Sequence, residues 1–244
     1  MSILNHNTDT GRGSYPFVTA IVVAAGNSTR MNGINKQFLL IDGVPVLIRT
    51  LRAFSECSLI NEIIVAAREE DIPKMHSMLR DYGVLKVKEI VTGGATRQQS
   101  VYNAFCRCSP LSEFIAIHDG ARALVTPDII TDTLIAAFET GAAATGVRVK
   151  DTIKVVDENS VIVSTPPREN LWAVQTPQVF SRRLYLNAID SVKSAENFTD
   201  DCRLIEEYGH QITMVEGSYD NIKITTPEDI TLAEAIIRKR EQND

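Results

Sequence analysis

The amino-acid sequence predicts a single α/β domain on a mostly parallel central sheet, with a β-hairpin arm inserted in its second half. Three observations carry this. Short apolar, β-branched runs alternate with helical stretches four times at roughly thirty-residue spacing, the pattern of βαβ units. Three of the runs end at Gly26, Gly93-Gly94 and Asp119, where a parallel sheet gathers its ligand-binding loops. After these units the rhythm stops, and two short β-like runs flank Asp157-Glu158-Asn159-Ser160, a good hairpin turn.

Taken in order, residues 17–25 (FVTAIVVAA) form a buried strand that runs into a glycine turn. Residues 45–55 form a helix, with Pro45 at its first turn and Leu47, Ile48, Leu51 and Phe54 on one face. The second strand spans 62–67, the second helix 71–81 and the third strand 86–91. Residues 96–107 are helical with Val101, Ala104 and Phe105 inward; 114–118 (FIAIH) is the fourth strand, and 127–139 the helix behind it. The runs 147–156 and 161–164 are the legs of the hairpin, and Thr165-Pro166-Pro167 stiffens the way out. Such a hairpin has exposed edges that need a partner, so an arm of about 150–172 is expected to pack on another subunit. The chain closes with a helix at 181–192, a helix behind Thr199-Asp200-Asp201, strands at 211–215 and 221–225, and a helix at 227–240. Residues 1–16 are polar and lack a basic segment followed by an apolar one; they are expected to form a flexible extension, leaving 17–244 as the domain.

Composition narrows the function. Hydrophobic residues at 44% and charged residues at 23% suit a globular core, not a disordered chain. A net charge of −6 disfavours a nucleic-acid partner, which more often meets a basic face. Cys57, Cys106, Cys108 and Cys202 form no C-x-x-C pair, and the histidines are scattered. Free thiols in a reducing cytoplasm are expected, and no residues are assigned as metal ligands. No stretch approaches twenty apolar residues, so no membrane span is expected.

Ala24-Ala25-Gly26-Asn27-Ser28-Thr29-Arg30-Met31 follows the first strand, and its small residues let backbone N–H groups approach an anion. It is neither a P-loop nor the three-glycine dinucleotide fingerprint, and alone it is equally a structural turn. Arg30 and Lys36 flank it. A planar guanidinium fork and a mobile ammonium can grip a polyphosphate from two sides. Asp119 either faces a ligand or caps the next turn. Lys223 faces away from Ile222 and Ile224, as a ligand-facing cation or as an edge-strand charge that discourages aggregation. Arg168 can simply pair with Glu169, Thr176-Pro177 can be only a turn, and Thr199-Asp200-Asp201 reads as a helix N-cap. His118, on a buried strand, reads as structural.

These segments together resemble the 2-C-methyl-D-erythritol 4-phosphate cytidylyltransferase family. Ala24-Ala25-Gly26…Arg30-Met31…Lys36-Gln37-Phe38 is similar to its opening motif. Gly93-Gly94…Arg97…Ser100-Val101, His118-Asp119-Gly120-Ala121-Arg122, Asp151-Thr152, Thr176-Pro177-Gln178, Thr199-Asp200, and Asn221-Ile222-Lys223-Ile224-Thr225 with Pro227-Glu228-Asp229 follow in order. The resemblance implies a Rossmann-like nucleotidyltransferase domain whose arm makes a homodimer. It implies that the backbone of Ala24, Ala25 and Gly26, with Gly94 and Ser100, holds the nucleotide. Arg30 and Lys36 would stabilise charge at the transferring phosphorus, and Arg168 and Lys223 would position the attacking phosphate. Asp119 and Arg122 would contact the polyol phosphate, with Thr176 and Thr199 lining its pocket. Thr152 and Arg168, on the arm, would reach the partner subunit's site. The sequence departs from the family's usual pattern at Ser28 (often glycine), Ala95 (often acidic), Ala123 (usually proline) and Cys202 (commonly alanine), none of which removes a charged group assigned to chemistry.

The implied chemistry suits the residues. A phosphate monoester, with its second pKa near about 6, is already mostly dianionic at neutral pH. No general base is needed, only charge compensation and in-line placement. Mg²⁺ would bridge the phosphates of CTP, since it keeps waters and takes few protein ligands. Ribitol 5-phosphate is the alternative acceptor within the class. Two readings from other classes are a nicotinamide-dependent reductase, opposed by the missing third glycine, and a non-catalytic dimeric nucleotide-binding module, opposed by the retained cations.

Overall fold

Six residues of the first apolar run, Val18–Val23, form β1, an interior strand of a seven-stranded sheet. The computed structural model describes residues 15–26, 35–191 and 198–242. After β1, a 3-10 turn (Lys36–Phe38) and a short hairpin, β2 (Leu40–Ile41) and β3 (Val44–Pro45), lead into helix α1 (Val46–Glu56). Then come β4 (Glu62–Ala67), α2 (Ile72–Asp81), β5 (Val87–Thr92), α3 (Arg97–Phe105), β6 (Phe114–Asp119) and α4 (Pro127–Thr140). The second half contains β7 (Ala142–Arg148), β8 (Val155–Val156), β9 (Ile162–Ser164), β10 (Trp172–Ser181), α5 (Arg182–Ser191), α6 (Asp201–Glu207), β11 (Thr213–Glu216) and α7 (Glu228–Glu241).

The sheet order is β11-β7-β10-β6-β1-β4-β5, and β10 alone runs against the rest. Side chains alternate across its two buried faces, as strand geometry requires. Ala20 and Val22 of β1 face Leu47, Leu51 and Phe54 of α1 and Leu134 of α4. Ile21, one residue away, faces Val101 and Phe105 of α3, Tyr185 of α5 and Ile205 of α6. Each such aliphatic or aromatic side chain contributes about 1.5–3 kcal/mol on burial. Helix starts and stops follow local chemistry. Thr96, Thr126 and Asp200 accept the N-terminal hydrogen bonds of α3, α4 and α6, and Gly141 ends α4 at φ +83°.

The parallel α/β architecture is as the sequence predicts, and three expectations change. The run 147–156 is not one hairpin leg. Its first residues end β7, which begins at Ala142 inside the central sheet, and only Val155–Val156 pairs with Ile162–Ser164. The segment 221–225 is not a strand. Ile224 is buried and Lys223 exposed, but Asn221 is buried too, and the segment joins no ladder among the described residues; Ile224 donates its N–H to the Ala121 carbonyl at 2.8 Å. Thr176-Pro177 is no turn either. It lies within β10, whose register against β7 shifts between Val174 and Gln178, and that irregularity admits a proline without an N–H.

The β8–β9 hairpin stands apart as a two-stranded sheet, with Val155, Val156, Val161, Ile162 and Val163 exposed. Its root is clamped by Tyr219, whose hydroxyl donates to the Arg148 carbonyl at 2.7 Å while Lys150 Nζ sits 3.4 Å above its ring. Cys57, Cys108 and Cys202 are buried free thiols, and Cys106 is exposed. No helix among the described residues is long and apolar enough to cross a membrane. Residues 1–14, Arg30 with its loop, and Val192 lie outside the described residues.

Candidate active site

At the carboxyl edge of the sheet the loops after β1, β4, β5 and β6 enclose a cavity of about 470 Å³. Ala25 and Gly26 form one wall, Gly93 and Gly94 another, and Lys36 looks in from the 3-10 turn. The two glycine-bearing loops approach too closely for larger residues. A Cβ on Gly93 would lie 2.5 Å from Ala25 Cβ and 2.9 Å from Ser100 Oγ. Gly94 donates its N–H to Ser100 Oγ at 3.0 Å, and that hydroxyl donates onward to the Thr96 carbonyl at 2.9 Å, which ties the loop to the first turn of α3. Lys36 is placed by Asn35. The Asn35 side chain accepts from the Gln37 N–H at 3.0 Å and donates to buried Asp71 at 2.6 Å; Asp71 also accepts from Arg68 Nε at 2.7 Å.

A second cavity, about 290 Å³, adjoins the first and is lined by Arg97, Asp119, Arg122, Thr176, Thr199 and Lys223, among others. Arg97, Asp119 and Lys223 border both, so they form the wall the two cavities share. Asp119 is the centre of this wall. Lys223 Nζ lies 2.7 Å from it, Arg97 Nε 3.4 Å and Arg122 Nε 3.8 Å. Burial by itself would raise the Asp119 pKa, but Arg97, Lys223 and Arg122 outweigh it and hold the carboxyl well below the usual range. Burial lowers the pKa of Arg122, which stays a cation because a guanidinium starts so high.

Behind the second cavity lies His118, fully buried with its ring 4.8 Å from that of Phe54. One proton arrangement satisfies all its neighbours. Nε2–H donates to the Arg122 carbonyl at 3.3 Å, the Thr176 hydroxyl donates to Nδ1 at 2.9 Å, and the same hydroxyl accepts the Asp119 N–H at 3.1 Å. Burial lowers the imidazole pKa to about 3, so the ring is neutral at physiological pH. Three cavity residues from two segments are thus tied to one ring. Asn221 ties in the third segment: its amide donates to the Thr176 carbonyl at 3.1 Å, and its own carbonyl accepts from Arg122 Nη1 at 2.8 Å. That is how Lys223, on irregular backbone, reaches Asp119.

Two adjoining cavities on a shared cationic wall suit transfer of a phosphoryl-type group between two anionic ligands. The family model described as 2-C-methyl-D-erythritol 4-phosphate cytidylyltransferase matches residues 18–239 of the sequence.

The chain belongs to this family.

A curated 2-C-methyl-D-erythritol 4-phosphate cytidylyltransferase of Caldanaerobacter subterraneus subsp. tengcongensis is 48% identical over 226 residues, covering 91% of this chain and 99% of its own length. Among solved structures, the 4-diphosphocytidyl-2C-methyl-D-erythritol synthase of Anaerococcus prevotii superposes with a TM-score of 0.82 at 31% identity, over 91% of this chain and 96% of that one. The 2-C-methyl-D-erythritol 4-phosphate cytidylyltransferase of Thermus thermophilus gives 0.74 at 31%, over 91% and 99%. The resemblance drawn from the motifs is therefore correct.

Within this member of the cytidylyltransferase family, the expected site residues other than Arg30, which lies outside the described residues, fall into three groups. Ala25, Gly26, Lys36, Gly94, Ser100, Asp119, Arg122, Thr176, Thr199 and Lys223 line the two cavities. Ala24 is buried beneath them, where its N–H donates to the Ala66 carbonyl at 2.7 Å. Thr152 and Arg168 line neither cavity. Both are exposed, in the segments that flank the β8–β9 hairpin, and Arg168 Nη1 donates to the Lys150 carbonyl at 2.8 Å. Arg97, Gln178, Asn221 and Asp201 had no role assigned from sequence. Arg97 carried a usable signal, a cation opening a helix directly after the Gly93-Gly94 turn. The others are polar residues whose partners lie far away along the chain.

Proposed function

We propose that the protein transfers the cytidylyl group of CTP to 2-C-methyl-D-erythritol 4-phosphate, giving 4-diphosphocytidyl-2-C-methyl-D-erythritol and pyrophosphate in non-mevalonate isoprenoid precursor synthesis. The observation that carries this reading is the shared wall: two cavities, with Lys36 in one, Arg122 in the other and Lys223 bordering both. CTP occupies the larger cavity, between the Ala25-Gly26 turn and the Gly93-Gly94 turn with Ser100. The acceptor occupies the smaller one, against Asp119, Arg122, Thr176 and Thr199. A phosphate oxygen of the acceptor attacks the α-phosphorus, a new P–O bond forms, and the bond to the β-phosphate breaks as pyrophosphate leaves. Lys36 and Arg30 offset the charge that grows on the transferring group, and Lys223 steers the attacking phosphate. His118 transfers no proton; it holds the frame.

Mg²⁺ is proposed to come with the triphosphate. Asp119 is committed to three cations and Glu70 to Arg68, so the larger cavity leaves few carboxylates for a divalent ion, which suits one carried mainly by phosphate oxygens. When bound, it supplies charge compensation across the phosphates. We further propose one catalytic domain over residues 17–244 and a homodimer joined through the 150–172 arm, whose exposed Val155, Val156, Ile162 and Val163 would be covered by the partner. In that dimer Thr152 and Arg168 serve the partner subunit's acceptor cavity. The proposed location is the cytoplasm.

A pyrophosphate-release assay of CTP, UTP, ATP and GTP against methylerythritol phosphate and ribitol 5-phosphate tests the assignment. Turnover with CTP and methylerythritol phosphate is expected; turnover with ribitol 5-phosphate alone refutes the acceptor, and turnover with another nucleotide alone refutes the donor.

A further inference from the structure

Behind the shared wall runs a second line of polar groups that the reaction does not require as ligands. Asp201, at the first turn of α6, is fully buried. One of its oxygens sits 2.5 Å from Arg97 Nη1, and the other accepts from the Tyr185 hydroxyl at 2.7 Å. The backbone that carries it is pinned as well. Gln178 Oε1 accepts from the N–H groups of Asp201 and Cys202 at 3.0 and 3.2 Å, and Gln178 Nε2 donates to Asp200 at 3.0 Å. A carboxylate taken wholly out of water is retained only where its partners are well placed, and removing one strands the other. Here the partner is Arg97, whose Nε reaches Asp119 at 3.4 Å, and Asp119 in turn holds Lys223 at 2.7 Å.

Arg97 borders both cavities, yet its charge is matched by two carboxylates. Burial works against the charged form, but Asp201 and Asp119 together raise its pKa further. A guanidinium so paired has little net field left for a phosphate and is well suited to fixing a carboxylate in place. Asp119, by contrast, faces three cations. The line therefore passes order outward, from the α5–α6 core to the wall where the two substrates meet.

We propose that Asp201, acting through Arg97, is a positioning residue for the reaction: it sets the place of Asp119, and with it the ammonium of Lys223, on the shared wall. This rests on the reading that Asp119 and Lys223 serve the acceptor side. Displacing such a wall by about an ångström is enough to cost up to about 100-fold in rate.

The test is a double-mutant cycle on the full chain with Asp201→Asn, Arg97→Gln and the double variant, each measured for kcat, both KM values and melting temperature. Asp201→Asn is expected to lower kcat/KM for the acceptor about 10- to 100-fold while the KM for CTP stays within about twofold. The double variant is expected to be no worse than Arg97→Gln alone, because the effect of Asp201 passes through Arg97. A purely structural role would show as a lowered melting temperature with both KM values raised alike; that result overturns the proposal, as do losses that multiply, which would make the two residues independent, or an acceptor kcat/KM within twofold of the wild type. Should Asp201→Asn not fold, Tyr185→Phe removes one anchor and leaves the carboxylate. It is expected to raise the acceptor KM about 2- to 10-fold with the CTP value unchanged, and an unchanged acceptor KM overturns the proposal. Lys223→Met in the same assay keeps the two ideas apart: normal acceptor kinetics there would remove the reading of the wall, whatever the cycle shows.

Discussion

His118 makes a stability prediction that a surface histidine would not. Its ring is fully buried, with both nitrogens in hydrogen bonds that the neutral form can make. Desolvation lowers its pKa to about 3; neighbouring Asp119 pulls upward, and Arg122 and Lys223 push down. In the unfolded chain the imidazole titrates near about 6.5. Between these values the unfolded chain binds a proton here that the folded chain refuses, so stability falls as the pH falls from about 6.5 toward 3. The one-proton linkage amounts to about 2 kcal/mol between pH 7 and pH 5, and to about 4 kcal/mol by pH 3. His118→Gln keeps a donor for the Arg122 carbonyl and cannot titrate. It will be less stable at pH 7, and its stability will depend less on pH. Urea denaturation of both proteins at pH 5, 6 and 7 isolates the term, because every other titrating group is common to both. The gap between them should shrink by about 2 kcal/mol from pH 7 to pH 5. Parallel stability curves would refute the neutral, locked imidazole.

Three further outcomes follow from the geometry. Lys36→Ala should lower kcat about 10²- to 10³-fold with the fold intact, and near-normal turnover would remove it from the charge clamp. Gly94→Ala places a Cβ 2.0 Å from Gln99 Cγ and 2.4 Å from Gln99 Cβ, so the loop must move. Calorimetry should show CTP binding weakened about tenfold, with a stability loss of about 1–3 kcal/mol, and unchanged CTP affinity would contradict the close-approach argument. Val163→Asp lies on the exposed hairpin and should leave the protomer stable within about 0.5 kcal/mol. In sedimentation it should convert a dimer to a monomer with reduced turnover; a wild-type monomer, or a variant that stays dimeric, would overturn the role of the arm.

The parallel half of the sheet was legible because β1, β4, β5 and β6 are β-branched runs that end in small or acidic residues. Asp119 and the glycine turns could therefore be placed together from strand direction alone. What escaped was written in ambiguous letters. Ala142 to Ala144 continue the alanines of α4, and alanine has little preference for a strand, so β7 was seen only from Val147. Strand β10 holds Gln175, Thr176, Pro177 and Gln178, of which Thr176-Pro177 could be taken for a turn, yet Gln175, Thr176 and Gln178 are what bind the loops behind the smaller cavity. Over 222–224 the facing of Lys223 away from its isoleucine neighbours was right and the ladder wrong, since side-chain periodicity does not say whether a neighbouring strand is available. Asp201 resembles any acid in a helix first turn; its meaning comes from Arg97, 104 residues away, and no local pattern carries that.

The wall of Arg97, Asp119 and Lys223 also bears on inhibition. Because the same three side chains border both cavities, two fragments bound on either side are separated by little more than the thickness of that wall. A compound with a nucleoside-like head in the larger chamber and an anionic tail in the smaller one would lose its translational freedom once, not twice. A short rigid tether should then bring avidity well beyond either fragment alone. A tether too long or too floppy would forfeit the gain, which makes linker length a ruler for the distance between donor and acceptor.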